Sequence, residues 1–315
     1  MTTEHSRVTV DCDVIAQFTG AYLRLAGSEC AFIEAHTSHA VPKLLAALRD
    51  AGKKPEDVRW VVVTHAHLDH AAGAGALLKA CPNATLLAHP RAARHLIDPS
   101  KLVASATSVY GQERFAELYG TIDPIPAARV RALEDGATFE LGDATLQVLH
   151  TAGHANHHFV VHDPRLECVY TGDSFGLVYP AIQGRGRFAI ASTSPTNFDA
   201  GEARKSLKRI LELKTKFACL THFDAFSDVA DIGAQVGEWI DRAEAWVDSA
   251  AKGDEPVEQM TTRLMHAWKA AVVAESDRRG LGFGDDAFRL LALDLELNAQ
   301  GLAFVAAARR GAAKS

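Results

Sequence analysis

Apolar positions change period along the chain. From Val8 to Glu34 they fall in short runs, Val8-Thr9-Val10, then Ala16 to Leu25, then Ala31-Phe32-Ile33-Glu34, with Gly20, Gly27 and Ser28 as turn punctuation. Several strands therefore precede any helix. Leu44, Leu45 and Leu48 recur at helical spacing and predict a helix from Val41 to Ala51. Trp60-Val61-Val62-Val63 reads as a buried strand, Ala71 to Leu78 as the body of a glycine-tolerant helix ending near Ala80, and Thr85-Leu86-Leu87-Ala88 as a further strand. His89-Pro90 opens a helix that Pro99 interrupts, and residues 101 to 120 are predicted helical. Phe139 to Leu149 alternates around Gly142-Asp143 in the manner of a β-hairpin. Strands follow at Phe159-Val160-Val161 and at Glu167 to Thr171, then a helix from about Phe198 to Leu213 and a strand at Phe217 to Leu220. From Ser227 onward the period is helical throughout. Three apolar stripes, Ile232 to Val247, Val257 to Val272 and Phe288 to Val305, predict three amphipathic helices in a bundle. These patterns divide the chain into an α/β domain over 1–226 and a helical C-terminal domain over 227–315.

The chemistry-bearing residues gather at strand ends. Thr64-His65-Ala66-His67-Leu68-Asp69-His70 places three imidazoles and a carboxylate directly after the strand Trp60 to Val63. Alternate side chains of an extended chain share a face, so His65 and His67 point together and can hold one metal. Where the chain turns into helix, Asp69 and His70 can be aimed at a second point close by. Neutral imidazole and carboxylate suit zinc, with iron and manganese as alternatives. A second cluster, His150-Thr151-Ala152-Gly153-His154-Ala155-Asn156-His157-His158, follows the hairpin. His154, beside a glycine, is free to project as the third imidazole of the first metal. His158 and His150 are better placed to brace the ligands, since metal-bound histidines need outer hydrogen-bond partners. Gly172-Asp173 ends the next strand, and a carboxylate there can reach two cations at once. Thr221-His222 ends the last one and supplies the final imidazole.

Ser174 to Thr196 is a long segment of low helicity, and such loops commonly contact substrate. Phe175, Tyr179, Arg185, Arg187 and Phe188 are its candidate substrate-binding residues.

Composition narrows the setting. The 315 residues are 48% hydrophobic and 23% charged, an ordinary globular balance, and the net charge of -6 disfavours nucleic acid as a partner. The amino end lacks the apolar core of a signal peptide, and no uninterrupted apolar run reaches the roughly 18 residues of a membrane helix. The expectation is a cytoplasmic protein with no membrane partner, acting on a small molecule, with a homodimer allowed. Cys12, Cys30, Cys81, Cys168 and Cys219 are widely spaced and odd in number, which predicts buried free thiols.

The ordered set His65-x-His67-x-Asp69-His70, His154, Asp173 and His222 resembles the metallo-β-lactamase fold superfamily over roughly residues 14 to 225. That resemblance implies a four-layer αβ/βα sandwich with the site at one edge of the two sheets, here followed by a C-terminal helical subdomain. It implies two divalent metal ions, zinc first: one on His65, His67 and His154, another on Asp69, His70 and His222, with Asp173 bridging. Within the family the pattern is closest to the general hydrolase branch, glyoxalase II-like or lactonase-like. The glutathione-binding signature of glyoxalase II is not evident, and Gly176 stands where acyl homoserine lactonases have a tyrosine. The implied activity is hydrolysis of a small ester, lactone or thioester by a metal-bridging hydroxide, with Asp69 and Asp173 as the catalytic carboxylates. The alternatives are a mononuclear-iron oxidoreductase resembling persulfide dioxygenases and a metal-dependent phosphodiesterase. The substrate, the native metal, the oligomeric state and any general acid are not legible.

Overall fold

The computed structural model describes residues 4–193 and 198–312. Their contacts separate into two compact units interleaved along the sequence. The first comprises Met1–His150, His157–Gly172 and Thr215–Ser227; the second comprises Thr151–Asn156, Asp173–Lys214 and Asp228–Ser315.

In the first unit, strands β1 (His5–Asp11), β2 (Gly20–Ala26), β3 (Glu29–Ile33), β4 (Val58–Val62), β5 (Thr85–Ala88) and β6 (Val130–Ala132) form one sheet in sequence order. A loop over 12–19 and a tight turn at Gly27-Ser28 make β1, β2 and β3 antiparallel, and helical crossovers make β3 to β6 parallel. Both faces are covered at the inner strands β2 to β5, which is why these are mostly apolar and buried, whereas β1 and β6 at the edges are largely not. Leu23, Phe32, Val61 and Leu86 face outward. They meet Leu44 and Leu48 of α1 (Val41–Asp50), a neighbourhood that α2 (Leu68–Ala71) joins through Ala71, α3 (Ala74–Ala80) through Leu77 and α4 (Pro90–Ile97) through Leu96. The helix expected over 101 to 120 is two, α5 (Ser100–Tyr110) and α6 (Gln112–Tyr119), because Gly111 at φ 76° leaves helical geometry between them.

The second sheet runs β12-β11-β10-β9-β8-β7. Its strands are β7 (Thr138–Leu141), β8 (Ala144–His150), β9 (Phe159–Asp163), β10 (Cys168–Gly172), β11 (Phe217–Leu220) and β12 (Asp224–Phe226). Tyr22, Ile33, Trp60 and Val62 of the first sheet interleave with Phe139, Leu146, Val148, Phe159, Val161 and Tyr170 of the second to form the core between them. Two of the polar aromatic side chains buried there are bonded to backbone carbonyls. Tyr22 Oη donates to Leu220 O at 2.7 Å, and Trp60 Nε1 donates to Glu140 O at 2.7 Å. All five cysteines are buried free thiols, as their spacing predicts.

The second unit contains α7 (Ala200–Glu212), α8 (Val229–Ala251), α9 (Val257–Arg279) and α10 (Asp285–Ala312), together with the segment from Asp173. The three predicted terminal helices are present, and Trp239 of α8 stacks on Trp268 of α9 with ring centroids 5.1 Å apart. By length and composition α10 could cross a membrane. Its apolar residues Leu291, Leu295 and Leu302 are buried, the usual place of an apolar helix in a protein core.

Candidate metal centre

In the first unit the candidate ligands sit where β4 and β11 end. The extended backbone after β4 carries His65 and His67 on one side, their ring centroids 4.4 Å apart, before α2 begins at Leu68. One turn of α2 then sets Asp69 and His70. His222 arrives from the end of β11, and donor atoms of Asp69, His70 and His222 lie within 4.8 Å of one another, close enough to share one ion. Asp69 Oδ2 is 3.5 Å from His70 Nε2 and 3.4 Å from His222 Nε2. Crowding by neighbouring atoms opposes ionisation of Asp69, but His70 and His222 outweigh it and hold the carboxyl well below its usual range.

The imidazoles are oriented by their other nitrogens. His70 Nδ1 donates to Glu34 Oε1 at 3.0 Å, His222 Nδ1 to Phe18 O at 3.2 Å, and His65 Nδ1 to Thr64 Oγ1 at 3.0 Å. A proton kept on Nδ1 makes Nε2 the lone-pair nitrogen, which is the tautomer a metal requires. The donor set therefore fits a divalent ion in chemistry as well as in spacing.

Glu34 is the residue that sequence reasoning missed. It follows β3 at φ 70°, is 1% exposed, and accepts from Thr64 Oγ1, from Thr64 N at 3.2 Å and from Thr221 Oγ1 at 3.3 Å besides His70. One buried carboxylate thus ties together the ends of β3, β4 and β11. Its signal in the sequence is a carboxylate directly after an apolar strand, the same signal that singles out Asp173.

Of the expected bracing residues, His158 is buried with its ring 4.8 Å from that of His65. Gly172 leaves room for it, since a Cβ there would lie 2.5 Å from His158 Nε2. His150 is turned elsewhere: its Nε2 bonds Leu133 O at 2.9 Å and its ring lies 4.1 Å from that of His89. His157 is half-buried, and its Nδ1 accepts from Ala66 N at 3.4 Å within the histidine loop.

In the second unit, His154 Nε2 lies 3.4 Å from Asp173 Oδ2, and both residues are buried. His154 Nδ1 donates to Ser192 O at 3.4 Å, so this imidazole too presents Nε2. Its loop is fixed by α7: Ser206 Oγ donates to Ala152 O at 2.6 Å, and Asp199 N donates to Gly153 O at 2.8 Å. Gly153 sits at φ 130°, where a Cβ would stand 2.4 Å from the Ala203 backbone, so only glycine allows this approach.

The five expected substrate-binding side chains have different placements. Phe175, Tyr179 and Phe188 are fully buried; Tyr179 Oη donates to Asp294 Oδ1 at 3.2 Å, and Phe188 packs edge-on against Phe283 at 5.0 Å. Arg187 forms an ion pair with Asp228 at 2.5 Å. The three aromatics serve the interior of the second unit because an apolar run of low helicity makes core as readily as it makes a binding loop, while the Arg187 ion pair is part-exposed. Arg185 is the exposed one, beside a groove of about 420 Å³ lined also by Leu281, Phe283 and Leu290. Residues 194–196 of the segment lie outside the described residues.

Comparison with known proteins identifies the family and the fold. Residues 29–222 match the model of the metallo-β-lactamase superfamily, a span that holds all seven expected ligands. The chain is 29% identical over 167 residues to the metallo-β-lactamase fold-containing protein ST1585 of Sulfurisphaera tokodaii, a match covering 52% of this chain and 59% of that protein. The crystal structure of ST1585 superposes with a TM-score of 0.64 at 22% identity, covering 94% of this chain and 98% of that one. A metallo-β-lactamase family protein of Thermus thermophilus, TTHA1429, gives a TM-score of 0.62 at 18% identity over 98% of this chain and 94% of its own. A chemotaxis sensor, ODP, described as a peroxy diiron species, gives 0.54 at 13% identity over 74% and 90%. At these identities the structural likenesses show the fold: mixed α/β with two sheets, followed by a C-terminal helical region. The family model spans well over half of the chain, and the protein belongs to the metallo-β-lactamase superfamily.

Proposed function

We propose that the protein is a metal-dependent hydrolase of a small ester, lactone or thioester, holding two divalent ions, zinc first. The observation that carries the reading is the trio Asp69, His70 and His222, whose donor atoms lie within 4.8 Å of one another on rings already held in the ligating tautomer. His65 and His67 stand beside that trio, and the sequence resemblance assigns His154 and Asp173 to the same centre. When bound, such ions lower the pKa of water so that hydroxide is available near neutral pH, and they polarise the scissile carbonyl. The chain's own part is to hold these donors charged and aimed. Asp69, kept ionised, can accept the proton of the attacking water. Glu34 keeps the His70 ring from rotating, and Phe18 O does the same for His222.

The likeness to ODP supports a second reading, a di-iron centre with oxygen chemistry, because imidazole and carboxylate also suit iron. One experiment separates the two. Protein loaded with zinc or with ferrous iron is assayed anaerobically against an aryl ester, a lactone, a thioester and a phosphodiester. Turnover of an acyl substrate without oxygen, lost in Asp69→Asn and on chelation, supports the proposal. Turnover of none of the acyl substrates, or turnover that needs oxygen, overturns it, and cleavage of the phosphodiester alone changes the substrate class.

A further inference from the structure

The second unit contains a device that bears on two of the proposed ligands. Residues 187 to 193 run as an extended segment whose backbone groups alternate in direction, as those of any extended chain do. On one side Ile190 pairs with Leu177 in a single antiparallel bridge, N donating to O in both directions at 2.8 and 3.1 Å. On the other side side-chain amides from the C-terminal helices take the place of a neighbouring strand. Gln235 of α8 accepts from Ala189 N at 2.9 Å and donates to Arg187 O at 3.4 Å. Asn298 of α10 donates to Ala191 O at 3.0 Å and accepts from Thr193 N at 2.6 Å, with Thr193 Oγ1 also donating to it at 3.2 Å. Both amides are almost fully buried, Gln235 at 1% and Asn298 at 2% exposure. A buried amide is tolerated only when its donors and acceptors are used; Asn298 commits its amide to this segment, and Gln235 divides its amide nitrogen between Arg187 O and Asp231 Oδ2, the latter at 3.1 Å.

The residue between the two anchor points of Asn298 is Ser192. Because Ala191 and Thr193 face Asn298, Ser192 faces the other way. Its carbonyl accepts from His154 Nδ1 at 3.4 Å, and its hydroxyl donates to Asp173 Oδ2 at 3.4 Å. A single residue therefore touches both ligands of this unit, and its position is set by an asparagine more than 100 residues away in sequence.

We propose that Ser192 is a positioning residue for His154 and Asp173, and that Asn298 and Gln235 set the metal affinity of the centre by fixing the segment that carries it. The proposal rests on the metal-centre reading above. The C-terminal helices then act on the centre without contributing a ligand. Outer hydrogen-bond partners of metal ligands typically change affinity by about 10- to 100-fold. Ser192→Ala keeps the carbonyl that holds His154 and removes only the hydroxyl on Asp173, so its loss falls near the lower end, about tenfold. Asn298→Ala releases both contacts and has the larger loss.

The test is zinc affinity, measured by competition with a chromophoric chelator, alongside the melting temperature of the metal-free full-length chain. The variants are Ser192→Ala, Asn298→Ala, the double variant and Leu295→Ala. Leu295, also on α10, is buried and has no polar side-chain atom with which to hold residues 191 to 193, so it reports what loosening that helix does on its own. The expected result is weaker zinc binding in Ser192→Ala at unchanged melting temperature. Asn298→Ala should bind more weakly still, and the double variant should add little to it. Leu295→Ala should melt lower at unchanged affinity. Affinity within twofold of the parent in Ser192→Ala overturns the proposal while leaving the metal-centre reading intact. Loss of affinity in Leu295→Ala equal to that in Asn298→Ala overturns the role of Asn298. A parent chain that takes up no zinc, iron or manganese overturns both readings together.

Discussion

Replacing Glu34 by glutamine removes one charge from beneath the proposed metal loop without opening a cavity. In the parent, Oε1 accepts from Thr64 Oγ1, from His70 Nδ1 at 3.0 Å and from Thr221 Oγ1 at 3.3 Å, and Oε2 accepts from Thr64 N at 3.2 Å. Hydrogen bonds to a charged acceptor contribute about 1.5–3 kcal/mol and neutral ones about 0.5–1.5 kcal/mol, so making Oε1 neutral weakens each by roughly 1 kcal/mol. Replacing Oε2 by an amide nitrogen sets that donor against the buried Thr64 N–H, at about 1–3 kcal/mol more. The short and long contacts do not add fully, so a net loss of about 3 kcal/mol follows, or a fall of roughly 10 °C in melting temperature for a domain of this size. Because His70 Nδ1 loses its charged partner, zinc affinity should also fall by about 10- to 100-fold. Differential scanning calorimetry of the metal-free protein reads the first quantity and chelator competition the second. A Glu34→Gln protein that melts within about 2 °C of the parent and binds zinc within twofold would refute the assignment of Glu34 as the tie between β3, β4 and β11.

Three further outcomes follow from the same geometry. Gly172→Ala places a Cβ 2.6 Å from Thr64 Oγ1 and 2.5 Å from His158 Nε2, at a φ of 49°; a destabilisation of about 2–4 kcal/mol by urea unfolding is expected, and a neutral variant would contradict the packing. Burial holds the His89 imidazole down at about 4, with His150, His157 and Arg91 adding in the same direction. The unfolded chain takes up that proton first, so the contribution of neutral His89 is complete above the ordinary value of 6.5 and is lost as pH falls toward about 4. Its Nδ1 also accepts from Arg91 N at the start of α4. His89→Asn, which keeps a capping acceptor, should therefore show a shallower loss of stability between about pH 7 and pH 5 than the parent, and equal slopes would count against it. Asp69→Asn removes the one carboxylate of the trio with His70 and His222; it should lower acyl-ester turnover by roughly 100-fold or more with little change in melting temperature, as read by steady-state kinetics, and full activity would exclude Asp69 from the chemistry.

Much of this arrangement is legible in the residues because the relevant signals are local. Strands β5 and β11 stand where Thr85 to Ala88 and Phe217 to Leu220 place them, since short apolar runs between turn residues have few other uses. The histidine loop announces itself by spacing, and the Asp69, His70 and His222 trio gathers because β4 and β11 end at the same edge of their unit. What stays hidden depends on distant partners. Glu34 acts on Thr64, His70 and Thr221, which lie 30, 36 and 187 residues away. The segment from Ser174 looks like a loop because its strand partners are not strands; they are Gln235 and Asn298, side-chain amides presented by helices. Phe175, Tyr179 and Phe188 are buried for the same reason, having a helical core to enter that local periodicity does not reveal.

Metal content is the most direct test of the account. Protein purified without added metal, then reloaded with zinc and dialysed, should carry two equivalents per chain by mass spectrometry of its elements. Asp173→Ala should carry one or fewer and lose anaerobic ester turnover. A parent chain that holds no divalent ion, or an Asp173→Ala protein with undiminished metal and activity, would contradict the two-metal hydrolase.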